Sequence, residues 1–423
     1  MKIASCRRGL CIAAAGLLLG GVLGVRAFAS GYEFDGVGAR SVARGGAVIA
    51  DVNDWTAIYW NPAGLVNAAS KEAGLELRAG KMYTKDGNSF NVLGMNPFDK
   101  TRVTSGFVLG SLGVVIPLDA DNAIAAGAYS PLLQGADFKD TAPADLFVNA
   151  LDYKSNVLTG VFNVSYSRRL DEKFTAGLGV NAIYGSLTSD STINWGPGLV
   201  LIPGMAAMAN TTQKNKSDAN GYGFEGVGGL DYKINDAWKA GFVVRTGARI
   251  VLKGDEKVYV NGAFAQKSDF EYPVHHPATS GLGVAWQASQ DLKVTCDIAQ
   301  AWWKGFSSAR TYDTPGGLLN SNGNTYHWLN STKFRLGALK KLSDKYEVMG
   351  GYAFDTWAID RHSIDFSTAI DVPMHRFSAA VTRKWAAVDA TLGALAGSGR
   401  RTAAGVDYSL KGWYVMGEVK YRF

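Results

Sequence analysis

Arg245 and Arg249 are the residues of this chain best suited to recognising a charged ligand. They lie in the run 237–252, where Phe242, Val244, Thr246, Ala248 and Ile250 alternate with Arg245, Gly247 and Arg249. Successive side chains of a strand point to opposite faces, so this spacing predicts both guanidinium groups on one side. A guanidinium presents paired donors that match a carboxylate, and the two could clamp one. The same alternation sends Asp297, Asp389 and Glu418 to that side in their own strands, and an internal ion-pair network is the competing role.

A second group is apolar. The stretch 188–220 holds Trp195, Leu199, Leu201, Ile202, Met205 and Met208. An exposed apolar patch marks a binding surface, and methionine adapts to varied ligand shapes; an inward-folded cap is the alternative. Asn61-Pro62-Ala63-Gly64 reads as a turn, because proline presets φ and asparagine bonds nearby backbone. Pro131 interrupts a strand pattern and removes a ladder donor.

Little points to catalysis or metal. The five histidines are His275, His276, His327, His362 and His375. The adjacent pair would point to opposite faces of a strand, a poor start for a metal site. The glycine-rich stretches around Gly36 and Gly226 lack the strand–helix context of a dinucleotide site, and the nucleophile elbow G-x-S-x-G is missing. The expectation is no catalytic residue, no metal, no cofactor and no enzymatic activity.

The composition narrows the scaffold that must hold these residues. Of 423 residues, 51 are Gly and only 11 are Pro, 11% are aromatic and 19% are charged. A soluble protein carries roughly 25% charged residues. The mean hydropathy of −0.03 is too low for a bundle of membrane helices. Frequent Gly and aromatics with few prolines suit β-strands.

The first residues read as an export signal. Lys2, Arg7 and Arg8 precede an apolar run from Leu10 to Val25, followed by Ala27-Phe28-Ala29. This is the pattern of a secretory signal peptide over 1–29, with an apolar run shorter than the ~20 residues of a spanning helix. With Arg26, those residues hold four of the basic groups and no acid, so the formal charge of +6 falls to +2 beyond them. Nucleic acid is excluded as a partner, since such binding needs a concentrated basic face. Cys296 is the single cysteine after residue 29, which leaves no intrachain disulfide.

Beyond the signal, segments of about ten residues repeat a period-two pattern, the signature of a transmembrane barrel strand. In the last of them Val415, Gly417, Val419, Tyr421 and Phe423 form one face and Tyr414, Met416, Glu418, Lys420 and Arg422 the other. We read about fourteen such strands between residues 71 and 423. Short polar turns, such as Asp119-Ala120-Asp121-Asn122 and Asp171-Glu172-Lys173, alternate with long connections near 85–104, 133–153, 188–220, 253–273, 305–328, 357–373 and 398–406. Outer-membrane barrels show this parity, with short periplasmic turns and long extracellular loops. Residues 30–70 do not read as strands and are too apolar for a solvated tail. The expected fold is all-β: a transmembrane antiparallel barrel of about 14 strands over 71–423, with an N-terminal plug over 30–70 in its lumen. The expected place is the outer membrane of a Gram-negative bacterium, among its lipid and lipopolysaccharide, with the terminal aromatic read by the barrel assembly machinery.

At this point the chain resembles the FadL-type outer-membrane transport family. The resemblance rests on Gly38-Ala39-Arg40-Ser41, Gly45-Gly46-Ala47 and Asp54-Trp55-Thr56-Ala57-Ile58-Tyr59-Trp60-Asn61-Pro62-Ala63-Gly64-Leu65, in the order and spacing of that family's N-terminal hatch. It implies a fourteen-stranded monomeric barrel that passes hydrophobic compounds, long-chain fatty acids or aromatic hydrocarbons, without cofactor or energy coupling. It also implies that Asn61, Pro62, Ala63 and Gly64 belong to the hatch, that the long loop forms an apolar entry groove, and that ligand leaves sideways at a strand kink near Pro131. A general porin and an outer-membrane lipid hydrolase are the alternatives.

Overall fold

The computed structural model describes residues 33–86, 102–140, 147–306, 309–319, 327–364 and 371–423. The expected signal peptide over 1–29 lies outside them. The chain forms one antiparallel sheet. Its strands are β1 (Glu72–Asp86), β2 (Arg102–Pro117), β3 (Asn122–Asp140), β4 (Val148–Arg169), β5 (Phe174–Trp195), β6 (Thr212–Lys233), β7 (Trp238–Arg245) and β8 (Ala248–Val260). There follow β9 (Ala263–His276), β10 (Ala278–Gln287), β11 (Leu292–Trp302), β12 (Thr311–Tyr312), β13 (Ser331–Lys341), β14 (Tyr346–Asp355), β15 (Met374–Lys384), β16 (Val388–Ala403) and β17 (Val406–Arg422). β1 pairs with both β2 and β17, so the sheet closes on itself. β7 and β8 are halves of one bent stave, as are β9 and β10, and β12 is a two-residue piece beside β9. The wall is thus a closed barrel of 14 strands.

The barrel is apolar outside and mixes polar with apolar residues inside. On β17, Tyr414, Met416, Glu418 and Lys420 are buried, whereas Trp413, Val415, Val419 and Tyr421 are exposed. Leu178 and Phe224 on the outer face are 71% and 73% exposed. Such a surface is matched by lipid and not by water. The short turns are built on side-chain acceptors: Asp119 accepts from Asp121 N at 2.8 Å, Asp171 from Lys173 N at 2.7 Å, and Asn235 from Ala237 N at 2.9 Å. Each carboxylate or amide closes the turn that its own sequence begins.

At the other end the strands outrun the sequence pattern. The connection expected over 188–220 shrinks to 196–211, because β5 continues to Trp195 and β6 starts at Thr212. The connection expected over 253–273 is a hairpin of β8 and β9 turning at Asn261-Gly262, with φ of 51° and 81°. Here the outward residues Lys253, Asp255 and Lys257 are polar and the inward ones mix Glu256 and Ser268 with Val258 and Phe270, so hydrophobic alternation fades while backbone pairing persists.

Three of the irregularities in the ladder bear on the site, and the register shifts at Val148/Ala150 and Val258/Tyr259 lie apart from it. Thr246-Gly247 separates β7 from β8, with Gly247 at φ 72°. Pro277 separates β9 from β10 at the same level, and β3 shifts register between Tyr129 and Leu132. The first reverses the alternation. Before Gly247 the inward residue is Arg245; after it Ile250 and Leu252 are fully buried and Arg249 is exposed. The expectation that Arg245 and Arg249 share a face is therefore wrong, because a left-handed glycine at the bend exchanges the two faces.

Residues 33–70 contain two helical turns, Ala39–Val42 and Ala57–Trp60, and the 3-10 segment Pro62–Asn67. Their bonds run to inward residues around the ring. Gly38 N donates to Glu76 on β1, Arg40 N to Glu418 on β17 and Ile49 N to Asp297 on β11, at 2.9–3.0 Å. Asp35 pairs with Arg376 on β15 at 2.7 Å, and Ser167 on β4 donates to Ala63 O at 3.0 Å.

Candidate functional site

The most consequential feature is a gap in hydrogen bonding between two neighbouring staves. β2 pairs with β3 only from Leu112↔Ala128 to Pro117↔Ala123. Above that level β2 stays on β1, up to Lys85↔Arg102, and β3 stays on β4, up to Asp140↔Leu151. The cause is local. Ser130 and Pro131 together oppose Gly160 alone, a bulge that bends β3 away, and proline has no N–H to offer.

The N-terminal segment lies against this break. Phe34 N donates to Pro131 O at 2.8 Å, and Glu33 forms a bridge with Leu132. The Phe34 ring meets Phe107 of β2 edge-on at 5.5 Å and stacks on Tyr414 at 5.8 Å. Arg78 lies 5.0 Å from the same ring. Glu33 is held by Lys333 at 2.6 Å.

Beside the break lies a small cavity of about 20 Å³ that brings Arg245 and Pro131 together with Glu33, Tyr59, Tyr129, Glu225 and His276. Arg245 sits 4.3 Å from the Tyr59 ring, which meets Tyr129 edge-on at 5.4 Å. Its guanidinium and the Glu225 carboxylate attract each other, and its Nε is buried without a partner. Asn181 fixes Glu225 by donating at 2.7 Å, and itself accepts from Asn163 at 2.7 Å. His276 meets Thr159 Oγ1 at 3.0 Å, while neighbouring His275 stacks on Phe306 at 4.2 Å. Arg249 lines a separate cleft with Glu271 and His275. The network anticipated for Arg245 with Asp297, Asp389 and Glu418 has other members: Asp297 accepts from Ile49 N, Asp389 pairs with Arg422, and Glu418 accepts from Arg40 N and Trp55 Nε1.

The apolar loop residues also converge. Leu199 is buried against Phe147 and Val148, and Trp195, Ile202, Met205 and Met208 pack around them; Leu201 points away and is 70% exposed. Leu151 touches both this cluster and the apolar interior that contains Tyr129 and Leu132. An apolar path thus leads from the loop toward the break.

Toward the short-turn end the space between segment and wall is charged. Asp51 lies between Arg44 at 2.7 Å and Lys293 at 2.6 Å, Arg40 pairs with Glu347 at 2.8 Å, and Lys420 reaches Asp54 at 3.2 Å. Burial pushes the Asp51 carboxyl up, but Arg44 and Lys293 together hold it below the usual carboxylate range. Asn61 donates to Ile49 O at 2.8 Å and to Asp231 at 2.7 Å, and accepts from Ala63 N at 3.1 Å. Pro62, Ala63 and Gly64 continue that turn as the buried start of the 3-10 segment.

Residues 22–387 match the model of the outer membrane protein transport protein family (OMPP1/FadL/TodX). The chain belongs to this family. None of the curated proteins matches it significantly. Among solved structures it is similar to a Pseudomonas aeruginosa FadL homologue, at 16% identity and TM-score 0.74, covering 93% of this chain and 100% of that one. The P. putida toluene transporter TodX follows at 18% and 0.71, covering 92% and 99%. The Ralstonia pickettii toluene transporter TbuX stands at 17% and 0.68, covering 92% and 99%. At these identities the likeness establishes the fold. The family places the protein in the outer membrane and makes it a transport protein.

Several residues of this FadL/TodX-type barrel escape a sequence reading. Phe34, Tyr59, Tyr129, Glu225 and His276 come from five separate elements, and each alone resembles a packing residue. One available signal was Tyr129-Ser130-Pro131, an aromatic beside a ladder-breaking residue. For Glu225, the signal was an inward position on a strand whose outward residues are Tyr222 and Phe224.

Proposed function

We propose that the protein is a passive channel through which uncharged apolar compounds enter the barrel and leave sideways between β2 and β3, with residues 30–70 as its hatch. The observation that carries this reading is the missing β2–β3 pairing beside Pro131, faced by the Arg245 cavity and covered by Phe34. An apolar solute gains nothing from a water-filled pore. A route from an apolar loop cluster through an apolar interior to an opening in the wall spares it re-entry into water. The charged layer around Arg40, Arg44, Asp51 and Lys420 disfavours straight passage toward the short-turn end, because an apolar solute would have to break buried ion pairs there.

Cargo charge follows from Arg245. Its guanidinium already has Glu225 as counter-charge and Tyr59 as ring partner, and Glu33 adds a second carboxylate at the cavity. A fatty-acid carboxylate would meet those acids. An aromatic hydrocarbon would meet the Tyr59 and Tyr129 rings. TodX and TbuX are toluene transporters, which supports the same choice. The reading needs one barrel, no cofactor and no catalysis.

The test is deletion of Pro131. It removes the extra residue of β3, restores register with β4 and allows β2 and β3 to pair. Uptake of a labelled aromatic hydrocarbon by cells carrying the variant should fall at least tenfold while the barrel keeps its heat-resistant gel mobility. Unchanged uptake in a folded variant would reject the lateral exit.

A further inference from the structure

On the outer face, far along β1, β16 and β17 from the short turns, a cleft of about 790 Å³ is lined by Tyr83, Lys85, Arg400, Asp407, Ser409 and Lys411. The register sets its geometry. Ser409 lies opposite Lys85 on one side and Arg400 on the other, and Lys411 lies opposite Tyr83. With strands about 4.8 Å apart, Lys85 and Arg400 flank Ser409 and Lys411 closes the third side. Lys81 adds a fourth exposed cation one step below Tyr83. The single acid of the cleft, Asp407, accepts from Thr402 at 2.6 Å. Among the described residues, none of the four cations forms an ion pair.

The level of this cluster on the lipid face is what identifies its partner. Going up β17, the outward residues are Tyr421, Val419, Val415 and Trp413, then Lys411, Ser409 and Asp407. On β16 Leu392, Ala394 and Ala396 give way to Ser398 and Arg400; on β1 Leu75, Leu77 and Ala79 give way to Lys81, Tyr83 and Lys85. All three strands change from apolar to cationic within two residues of Lys411 in the register, Lys81 lying opposite Trp413 and Arg400 opposite Ser409. From Tyr421 to Trp413 the rise is about 20 Å along the membrane normal, at ~3.3 Å per residue and a tilt of ~40°. The cations therefore begin where hydrocarbon ends, at the headgroups of the outer leaflet. In that leaflet the abundant anion is the phosphate of lipopolysaccharide.

We propose that Lys81, Lys85, Arg400 and Lys411 form a binding site for the phosphorylated saccharide headgroup of lipopolysaccharide on the outer wall at β1, β16 and β17. The acyl chains of the bound lipid lie along Leu75, Leu77, Leu392 and Val415, and Trp413 marks the boundary. The site is independent of cargo and exit route, because it lies on the lipid face and uses no lumen residue.

The test uses the full barrel in phosphatidylcholine nanodiscs, titrated with bis-phosphorylated rough lipopolysaccharide, with its enzymatically dephosphorylated form and with inorganic phosphate. Native mass spectrometry reads the bound lipid. The triple variant Lys85→Gln, Arg400→Gln, Lys411→Gln should bind the phosphorylated lipid at least tenfold more weakly. The dephosphorylated form should bind the parent protein equally weakly, and millimolar phosphate should not compete. Arg400→Glu alone, a single exposed change, should weaken binding if the triple variant does not fold. Exposed Lys216→Gln with Lys253→Gln should leave binding unaltered. Equal binding by the folded variants or by the dephosphorylated lipid overturns the site. Competition by free phosphate overturns the lipid assignment, and an equal loss in the Lys216/Lys253 variant overturns the location.

Discussion

Replacing Glu225 by Gln would leave Arg245 facing the Tyr59 and Tyr129 rings with its counter-charge gone. A carboxylate ligand could then take the place of Glu225, and a charge-assisted hydrogen bond contributes about 1.5–3 kcal/mol. Glu225→Gln should therefore raise affinity for a long-chain carboxylate relative to a neutral hydrocarbon by roughly tenfold to a hundredfold. A ligand-binding titration with matched acid and hydrocarbon probes measures the ratio. Arg249→Ala, on the outer face, should change neither affinity. If Arg245→Ala in the parent protein abolishes acid binding while sparing hydrocarbon, the guanidinium is a carboxylate clamp and the neutral-cargo reading fails. Asn61 offers a second residue-scale test. Asn61→Ala strips donors from Ile49 O and Asp231, and each buried group left unmade costs about 1–3 kcal/mol. The 3-10 segment after it should become protease-sensitive at a lower temperature than in the parent protein.

At the scale of elements, residues 33–70 are held by buried ion pairs as well as by apolar packing, and the ion pairs make their docking dependent on pH. Asp51 is kept below the ordinary carboxylate range by Arg44 and Lys293. A depressed carboxylate contributes stability that is present above its unfolded value, near 4, and is lost as pH falls through the lower folded value. Ionic current through the barrel should therefore stay low through neutral pH and rise only when pH drops below that range. Asp51→Asn should raise the current at neutral pH and flatten the acid response; a parent-like titration in a planar bilayer would discount this anchor. Close contact adds to charge: a Cβ at Gly351 would meet the backbone of Gly45 and Arg44, so Gly351→Val should loosen the same segment. The elements themselves divide into legible and illegible sets for a physical reason. β17 was readable because lipid on one side and lumen on the other force Tyr421, Val419 and Val415 to alternate with Lys420, Glu418 and Met416. The hairpin of β8 and β9 was not, because above the membrane its outward residues Lys253, Asp255 and Lys257 meet water while its inward ones mix Glu256 and Ser268 with Val258 and Phe270, so neither face is uniformly apolar. Arg249 was misplaced for a third reason: period-two arithmetic has no term for the left-handed backbone of Gly247. The site was half legible, since Arg245 and Pro131 can be singled out by type, whereas their meeting with Tyr59 and Glu225 depends on how four elements close.

For the whole molecule, the argument turns on whether one closed wall can keep ions out while it lets apolar solutes through. The wall alone does not settle this, because fourteen strands enclose a lumen that polar residues such as Glu76, Asp297 and Arg376 would keep wet. The sheet closes through β1 and β17 by strand-to-strand pairing alone, so removing residues 33–70 takes away packing and the bridge of Glu33 to Leu132 but no pairing between strands of the wall. Deleting residues 31–65 should therefore leave a folded barrel, with the gel mobility of the heat-resistant form, that carries a steady ionic current in a planar bilayer. Hydrocarbon selectivity should fall with it, because the variant loses Tyr59 from the Arg245 cavity and Phe34 from the break between β2 and β3. A conductance equal to that of the intact chain would mean that the strands alone seal the lumen. A large steady conductance in the intact chain would make it a general porin, and the apolar route from Leu199 past Leu151 to Pro131 would then be a by-product of packing.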